Sequence, residues 1–367
     1  MASAAAKLPS TALPLKSALF TATILAGVGA SRLNIQNLLL RTFTGPGSYS
    51  RIIVTVLVLA NLKNVPFAWH FRVFNSILKH CLFSLPNVPP KLAPSVVFLP
   101  VITESHSPLM ECDYNFHKSN STYFSDLDAT RSHLVCCLFQ RGIDRQQHNV
   151  REKLVLDKAG KPVTGRWSIM LGGTMCSFKR EIGMYEGYEM WSRLLCWDRK
   201  WIYVVTHFVK KGTVRPSSYI LTDGSWFGGK GNQSLTGPAR DGEDVDEKAV
   251  FASAISKYVV KLGRLTIHPE VLLQASDLLP ERPGGWHSMA GISGESTPET
   301  LEMETSNVTL EEAENTKTSD EWDWKRIVAQ NERGLKRVEH FAALDGLIEE
   351  FSGSKTAALG KYRDFLL

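Results

Sequence analysis

The sequence predicts an α+β fold in which a curved antiparallel sheet wraps one long helix. Three observations lead there. Ser119 to about Gln140 carries Tyr123, Leu127, Leu134 and Leu138 at helical spacing, with room for about six turns. One extended stretch, Val96 to Asp113, with a turn near Ser105 to Pro108, comes before it. From Trp167 onward the periodicity drops to two, through Val209 and again, after a glycine-marked loop, from Val250 to Ile267. Strand, long helix, then several strands leaves the helix as the element around which a sheet must close.

The 367 residues are 43% hydrophobic and 22% charged, enough apolar material for a sizeable core. The net charge of +5 is unevenly spread. Met1 to Thr103 holds nine Lys or Arg and no carboxylate, whereas Glu281 to Glu321 holds ten carboxylates against Arg282 and Lys317. Four regions are therefore expected: a basic hydrophobic region over 1–94, a folded domain over 95–280, an acidic disordered linker over 281–321 and a C-terminal amphipathic helix over 322–367.

The first region has apolar runs at Ala18–Ala30 and Ile52–Leu62, each short of the roughly 20 residues that cross a bilayer as a helix. Residues 66–83 mix aromatic side chains with Arg72, Lys79 and His80, a composition suited to the headgroup layer. A membrane partner is expected through residues 18–83, with the folded domain facing the cytosol, at the endoplasmic reticulum for example. An acid-free segment with spaced arginines also fits a mitochondrial presequence. Asn87–Pro94 is a proline-rich connector.

Past the helix, Trp167–Lys179, Tyr185–Trp197 and Trp201–Val209 read as strands, with a tight connection at Asp198-Arg199-Lys200. Glycines at 224, 228, 229 and 231 mark a loop whose Gly-Gly-Lys-Gly lacks the spacing of a phosphate cradle. Val250–Ile267 returns to extended chain and Pro269–Leu279 reads as a short helix. Trp324, Ile327, Val328, Leu335, Val338, Phe341, Ala342 and Ile348 would share one face of a helix over Trp322–Phe351.

The six cysteines show no C-x-x-C pair and no zinc spacing, so a reduced protein is expected, with neither metal nor cofactor and no nucleic-acid partner. No G-x-S-x-G elbow is present, which excludes the usual serine hydrolase arrangement.

The chemistry-bearing stretch is Glu111–Tyr123. Asp113, Asn115 and His117 stand at every second position, so a strand would aim a carboxylate, a carboxamide and an imidazole to one side. The same residue types also cluster in turns. A helix starting near Ser119 would add unpaired N–H groups, and Glu111 reads as strand surface.

In this order the residues resemble the motif of the hotdog-fold acyl thioesterases, the 4-hydroxybenzoyl-CoA thioesterase-like superfamily, at the entry to the central helix. Asp113, Asn115, His117, Asn120 and Tyr123 match it, while Lys118-Ser119 stand where that family has Val-Asn. Leu194-Leu195-Cys196-Trp197-Asp198, with Tyr203 and Phe208-Val209, is similar to the Trp-Asp hairpin of the thioesterase superfamily member six group, and the whole looks closest to fungal thioesterases of leucinostatin-type lipopeptide and polyketide pathways. The resemblance implies a thioester hydrolase acting on a fatty-acyl or polyketide group held by CoA or an acyl-carrier protein. It implies catalytic roles for Asp113, Asn115 and His117, substrate contacts at Asn120, Tyr123 and Trp197, and a homodimer. Tyr188 and Trp191 join Tyr123 and Trp197 as candidates for lining an acyl channel. The rival functions are a non-catalytic, membrane-tethered acyl-binding module and a hydratase or dehydratase on the same fold.

Overall fold

A computed structural model describes residues 34–83, 93–157, 159–216, 219–221, 247–280 and 322–350. The apolar run over 18–30, most of the connector over 87–94, the glycine-rich loop up to 246 and the acidic segment over 281–321 lie outside or largely outside the described residues. Contacts divide the chain into two compact units, the first drawn from Met1–Leu85, His106–Ser132 and Glu181–Gly187, the second from Pro86–Ser105, His133–Arg180 and Tyr188–Leu367.

The first unit contains helices α1 (Ile35–Phe43), α2 (Ser48–Ala60) and α3 (Ala68–Ile77). Asn34 caps α1 by accepting from the Asn37 N–H at 3.1 Å. The segments Gln36–Phe43 and Ser48–Ala60 meet at a bend of 109°. Arg51 donates to the carbonyls of Thr42, Thr44 and Pro46, so the groups the bend exposes are met from within. No residue of α2 is buried, and Ile53, Val54, Val56, Leu57, Val58 and Leu59 all face outward. No single helix among the described residues is long and apolar enough to cross a membrane.

Strand β1 is Val101–His106, starting later than the expected extended run and ending at the turn expected near Ser105 to Pro108. Pro100 precedes it, and Pro108 leads into a single helical turn over Leu109–Glu111, because a prolyl ring cannot donate to a ladder. The long helix α4 runs Thr122–Gln147, about seven turns where about six were expected. It starts three residues later than Ser119, whose carbonyl instead accepts from the Thr122 N–H (3.0 Å) and Oγ1 (2.7 Å).

The second unit is a sheet of order β1-β3-β4-β5-β2, with β2 Trp167–Phe178, β3 Gly187–Trp197, β4 Trp201–Lys210 and β5 Val250–Leu262. The pairs β3–β4, β4–β5 and β5–β2 are antiparallel, and β6 (Leu265–Ile267) adds to β5. Asp198 closes the β3–β4 turn by accepting from the Lys200 and Trp201 N–H groups, as the Asp-Arg-Lys connection predicts. Leu134, Val135, Leu138 and Phe139 of α4 pack with Leu194, Ile202, Val204, Val260 and Leu262 of the sheet. A strand, a long helix and a five-strand antiparallel wrap in this order form the hotdog fold.

Helix α5 is Pro269–Ala275 and α6 is Trp324–Ala343, capped by Asp323 through the Arg326 N–H. Val338 and Phe341 of α6 join Leu195, Cys196 and Tyr203 in a second cluster. A bulge at Leu194/Cys196 explains how neighbours Leu195 and Cys196 reach the same cluster when plain alternation would separate them. Gly334 lets α6 approach: a Cβ there would lie 2.6 Å from Cys196 Cβ and 2.6 Å from the Leu195 carbonyl.

Candidate active site

Asp113, Asn115 and His117 do not lie on a strand. Residues 112–118 form a small closed hairpin, bridged at Cys112–Lys118, whose tip is a turn. The Asp113 N–H donates to the His117 carbonyl at 2.8 Å and the Phe116 N–H to the Asp113 carbonyl at 3.1 Å. Asp113 Oδ1 accepts from the Asn115 N–H at 2.8 Å and, more loosely, from the His117 N–H at 3.4 Å. Asp and Asn build turns by this side-chain-to-backbone bonding, and it overrides the period-two reading. Phe116 sits at φ 62°, a conformation that a bulky residue adopts only where its surroundings hold it there.

The turn presents its groups to solvent. Asp113, Asn115 and Asn120 are exposed and His117 is half-buried. His117 Nδ1 lies 3.3 Å from Glu181 Oε2, and the His117 backbone bridges to Gly183. Oδ2 of Asp113 carries no hydrogen bond among the described residues, so this oxygen is available to a substrate or an attacking water. Of the first-turn N–H groups of α4, those of Thr122 and Phe124 already bond to Ser119 and Ser121 carbonyls.

Beneath the turn lies an ionic interior. Glu111, expected on a strand surface, is buried on the Leu109–Glu111 turn and accepts the Ser119 N–H through its carbonyl at 2.7 Å. Its carboxylate takes Lys118 Nζ at 2.5 Å and Lys63 Nζ at 2.8 Å. Asp126, fully buried on α4, takes Lys63 and Lys118 at 2.9 Å each and Arg72 at 2.5 Å. Lys118 therefore occupies the family's Val position without a stranded charge, because two carboxylates meet it there. Arg72, expected to face lipid headgroups, turns to Asp126 instead. Burial pushes the Lys63 ammonium below its ordinary range; Asp126 and Glu111 pull it back, and Lys118 adds to the lowering.

Tyr123 is buried, its ring 5.3 Å from Lys118 Nζ. Trp197 belongs to the second unit and is built into its core. It stacks on Phe98 with ring centroids 5.9 Å apart, and its indole N–H donates to Glu270 at 3.2 Å. Asn331 bonds both its N–H and its carbonyl. Tyr188 is buried against Phe208, and Trp191 donates to Glu189.

Comparison with known proteins assigns the chain. The model of the thioesterase-like superfamily matches residues 107–240. The thioesterase poxG of Penicillium oxalicum is 34% identical over 310 residues, which cover 84% of this chain and 88% of that protein. The chain belongs to the thioesterase-like superfamily. Two further fungal members are similar over nearly their full length. The probable thioesterase atnL of Emericella nidulans is 32% identical, covering 89% of this chain and 93% of that one. The thioesterase lcsJ of Purpureocillium lilacinum is 31% identical, covering 81% and 91%. The superfamily match takes in the whole 112–118 hairpin and the entry to α4.

The sequence reading missed Lys63, Asp126 and Glu181 as site components. Two of them left a signal. Lys63 is a lone charge between two apolar runs, and Asp126 falls on the buried stripe that Tyr123 and Leu127 define. Glu181 left none, since it is brought to His117 by chain 64 residues further on.

Proposed function

We propose that the chain is an acyl thioesterase that hydrolyses a fatty-acyl or polyketide thioester of CoA or an acyl-carrier protein, with Asp113 as its base or nucleophile. The observation that carries this is the Asp113 carboxylate at the tip of a braced turn, one oxygen held by backbone N–H groups and the other open. An oxygen so placed can activate water toward a thioester carbonyl or attack it directly. His117, oriented by Glu181, is suited to pass a proton to the leaving thiolate. The names of the fungal relatives support thioester hydrolysis, and this chain's own resemblance to leucinostatin-type enzymes supports a role in secondary-metabolite synthesis. With palmitoyl-CoA as substrate, Asp113→Ala is expected to lower thiol release by about 10²- to 10⁴-fold while staying folded. Equal rates in variant and parent would remove Asp113 from the chemistry.

Two further expectations belong to the same reading. The outward apolar face of α2, with Leu38, Leu39, Leu40 and Phe43 on α1, supports association with a membrane surface. Val54→Asp with Leu57→Asp is expected to shift the protein from the membrane pellet to the soluble fraction; unchanged pelleting would rule this face out. The edge strand β2 exposes Met170, Leu171, Met175 and Phe178, which supports a homodimer formed along that edge. A monomeric mass in detergent-containing solution would contradict it.

A further inference from the structure

Lys63 stands on the segment that the sequence assigns to anchoring, outside the turn that carries Asp113. Its ammonium nevertheless reaches three separate pieces of the turn's support. It donates to Glu111 Oε2 at 2.8 Å, to Asp126 Oδ2 at 3.0 Å and to the His106 carbonyl at 3.0 Å. These are the base of the hairpin, the first turns of α4 and the end of β1. Its side chain is 6% exposed, Glu111's 3% and Asp126's 0%, so the two carboxylate bonds are made largely out of water, where they are strong and directional. Lys118 also joins Glu111 to Asp126, but it is itself part of the hairpin, and among the described residues Arg72 pairs with Asp126 alone.

We infer that Lys63 is a positioning residue for the hydrolase, clamping the Glu111–Ser119 hairpin to α4 so that Asp113 and His117 keep a fixed place. The N-terminal helices are then part of the working site and not a detachable tether. This rests on the reading of Asp113 as the reacting carboxylate. The physical requirement is positional: displacement of a catalytic group by about 1 Å can cost a hundredfold in rate. Lysine suits the task because its three N–H donors diverge, which the flat fork of arginine cannot reproduce.

The test uses full-length parent, Lys63→Met, the double variant Lys63→Met with Asp126→Asn, and Asp113→Ala, each checked for folding by circular dichroism. Thiol release from palmitoyl-CoA is measured together with amide hydrogen exchange across residues 112–118. In Lys63→Met the expected result is a fall in kcat of about 10- to 100-fold with KM changed by less than about twofold, and faster exchange in the hairpin. A parental kcat in folded Lys63→Met, or unchanged exchange, would overturn the inference. Should Lys63→Met not fold, the double variant, in which the buried Asp126 carboxylate that loses Lys63 is also neutralised, is judged by the same two results. If neither folds, the cluster serves stability alone and the inference is overturned. Activity that survives in Asp113→Ala would remove Asp113 from the chemistry and leave the exchange result to judge the clamp.

Discussion

Each of the two units of this protein has its own interior chemistry, and the two are opposite. The sheet unit has an apolar interior of Leu134, Phe139, Leu194, Val204, Val260 and Ile327. The unit that carries the turn has charge at its centre, with Glu111, Lys118 and Asp126 all buried. Apolar packing tolerates repacking with modest losses, whereas a buried ion network is costly to break and fixes which groups lie side by side. The contrast separates stability from placement. The sheet supplies a rigid wrap for α4, and the charges determine where the Asp113 turn sits.

The largest effect is expected in the ionic interior. Asp126→Leu takes one carboxylate from Lys63 and Lys118 and removes the ion-pair partner of Arg72, and about 3–5 kcal/mol of stability should be lost in a denaturant titration. Gly334→Ala probes the apolar side, where the new Cβ would collide with Cys196 and the Leu195 carbonyl. Its expected cost is about 1–3 kcal/mol, with thioesterase activity of the folded protein retained. A Gly334→Ala protein less stable than Asp126→Leu would break the comparison. The smallest effect concerns pH. His207 is bonded to Ser253 at 2.9 Å, and burial pushes its pKa below 6.5, reinforced by Arg193 and Lys179. Its unfolded form therefore binds a proton first, so its contribution is complete above pH 6.5 and is lost as pH falls below that value. His207→Gln should flatten this acid limb by at most about 1.4 kcal/mol per pH unit. An unaltered limb would assign the acid sensitivity to other groups.

Much of the sheet was legible in the sequence because each of its strands interacts with neighbours at period two. Trp201–Val209 and the Asp198 turn emerged nearly as read, and so did the apolar face of α6 through Ile327, Val338 and Phe341. The site was legible in residue type but not in shape. Asp113, Asn115 and His117 alternate as strand residues do, yet the Asp113 side chain captures the Asn115 N–H and folds the segment into a turn. Local side-chain-to-backbone bonds of this kind leave no periodic trace. Glu111 and Arg72 were misread as surface groups for another reason. A charged residue looks exposed until its partners are known, and these partners stand 54 residues apart for Arg72 and Asp126 and 48 apart for Lys63 and Glu111.

Lys118 looks like a flaw in the motif for a different reason: its partner Glu111 stands only 7 residues away but reads as strand surface. Against the family's Val it is an intrusive charge; with Glu111 and Asp126 beside it, it becomes part of the framework. A departure from a family pattern at a buried position therefore directs attention to the charges that must meet it.

The most direct test of the account is side-by-side thiol release from palmitoyl-CoA by the parent protein and Asp113→Ala, both shown to be folded. The account predicts steady release by the parent and a drop of about 10²- to 10⁴-fold in the variant. Matching rates, or no release by the parent from CoA or carrier-protein thioesters, would contradict it.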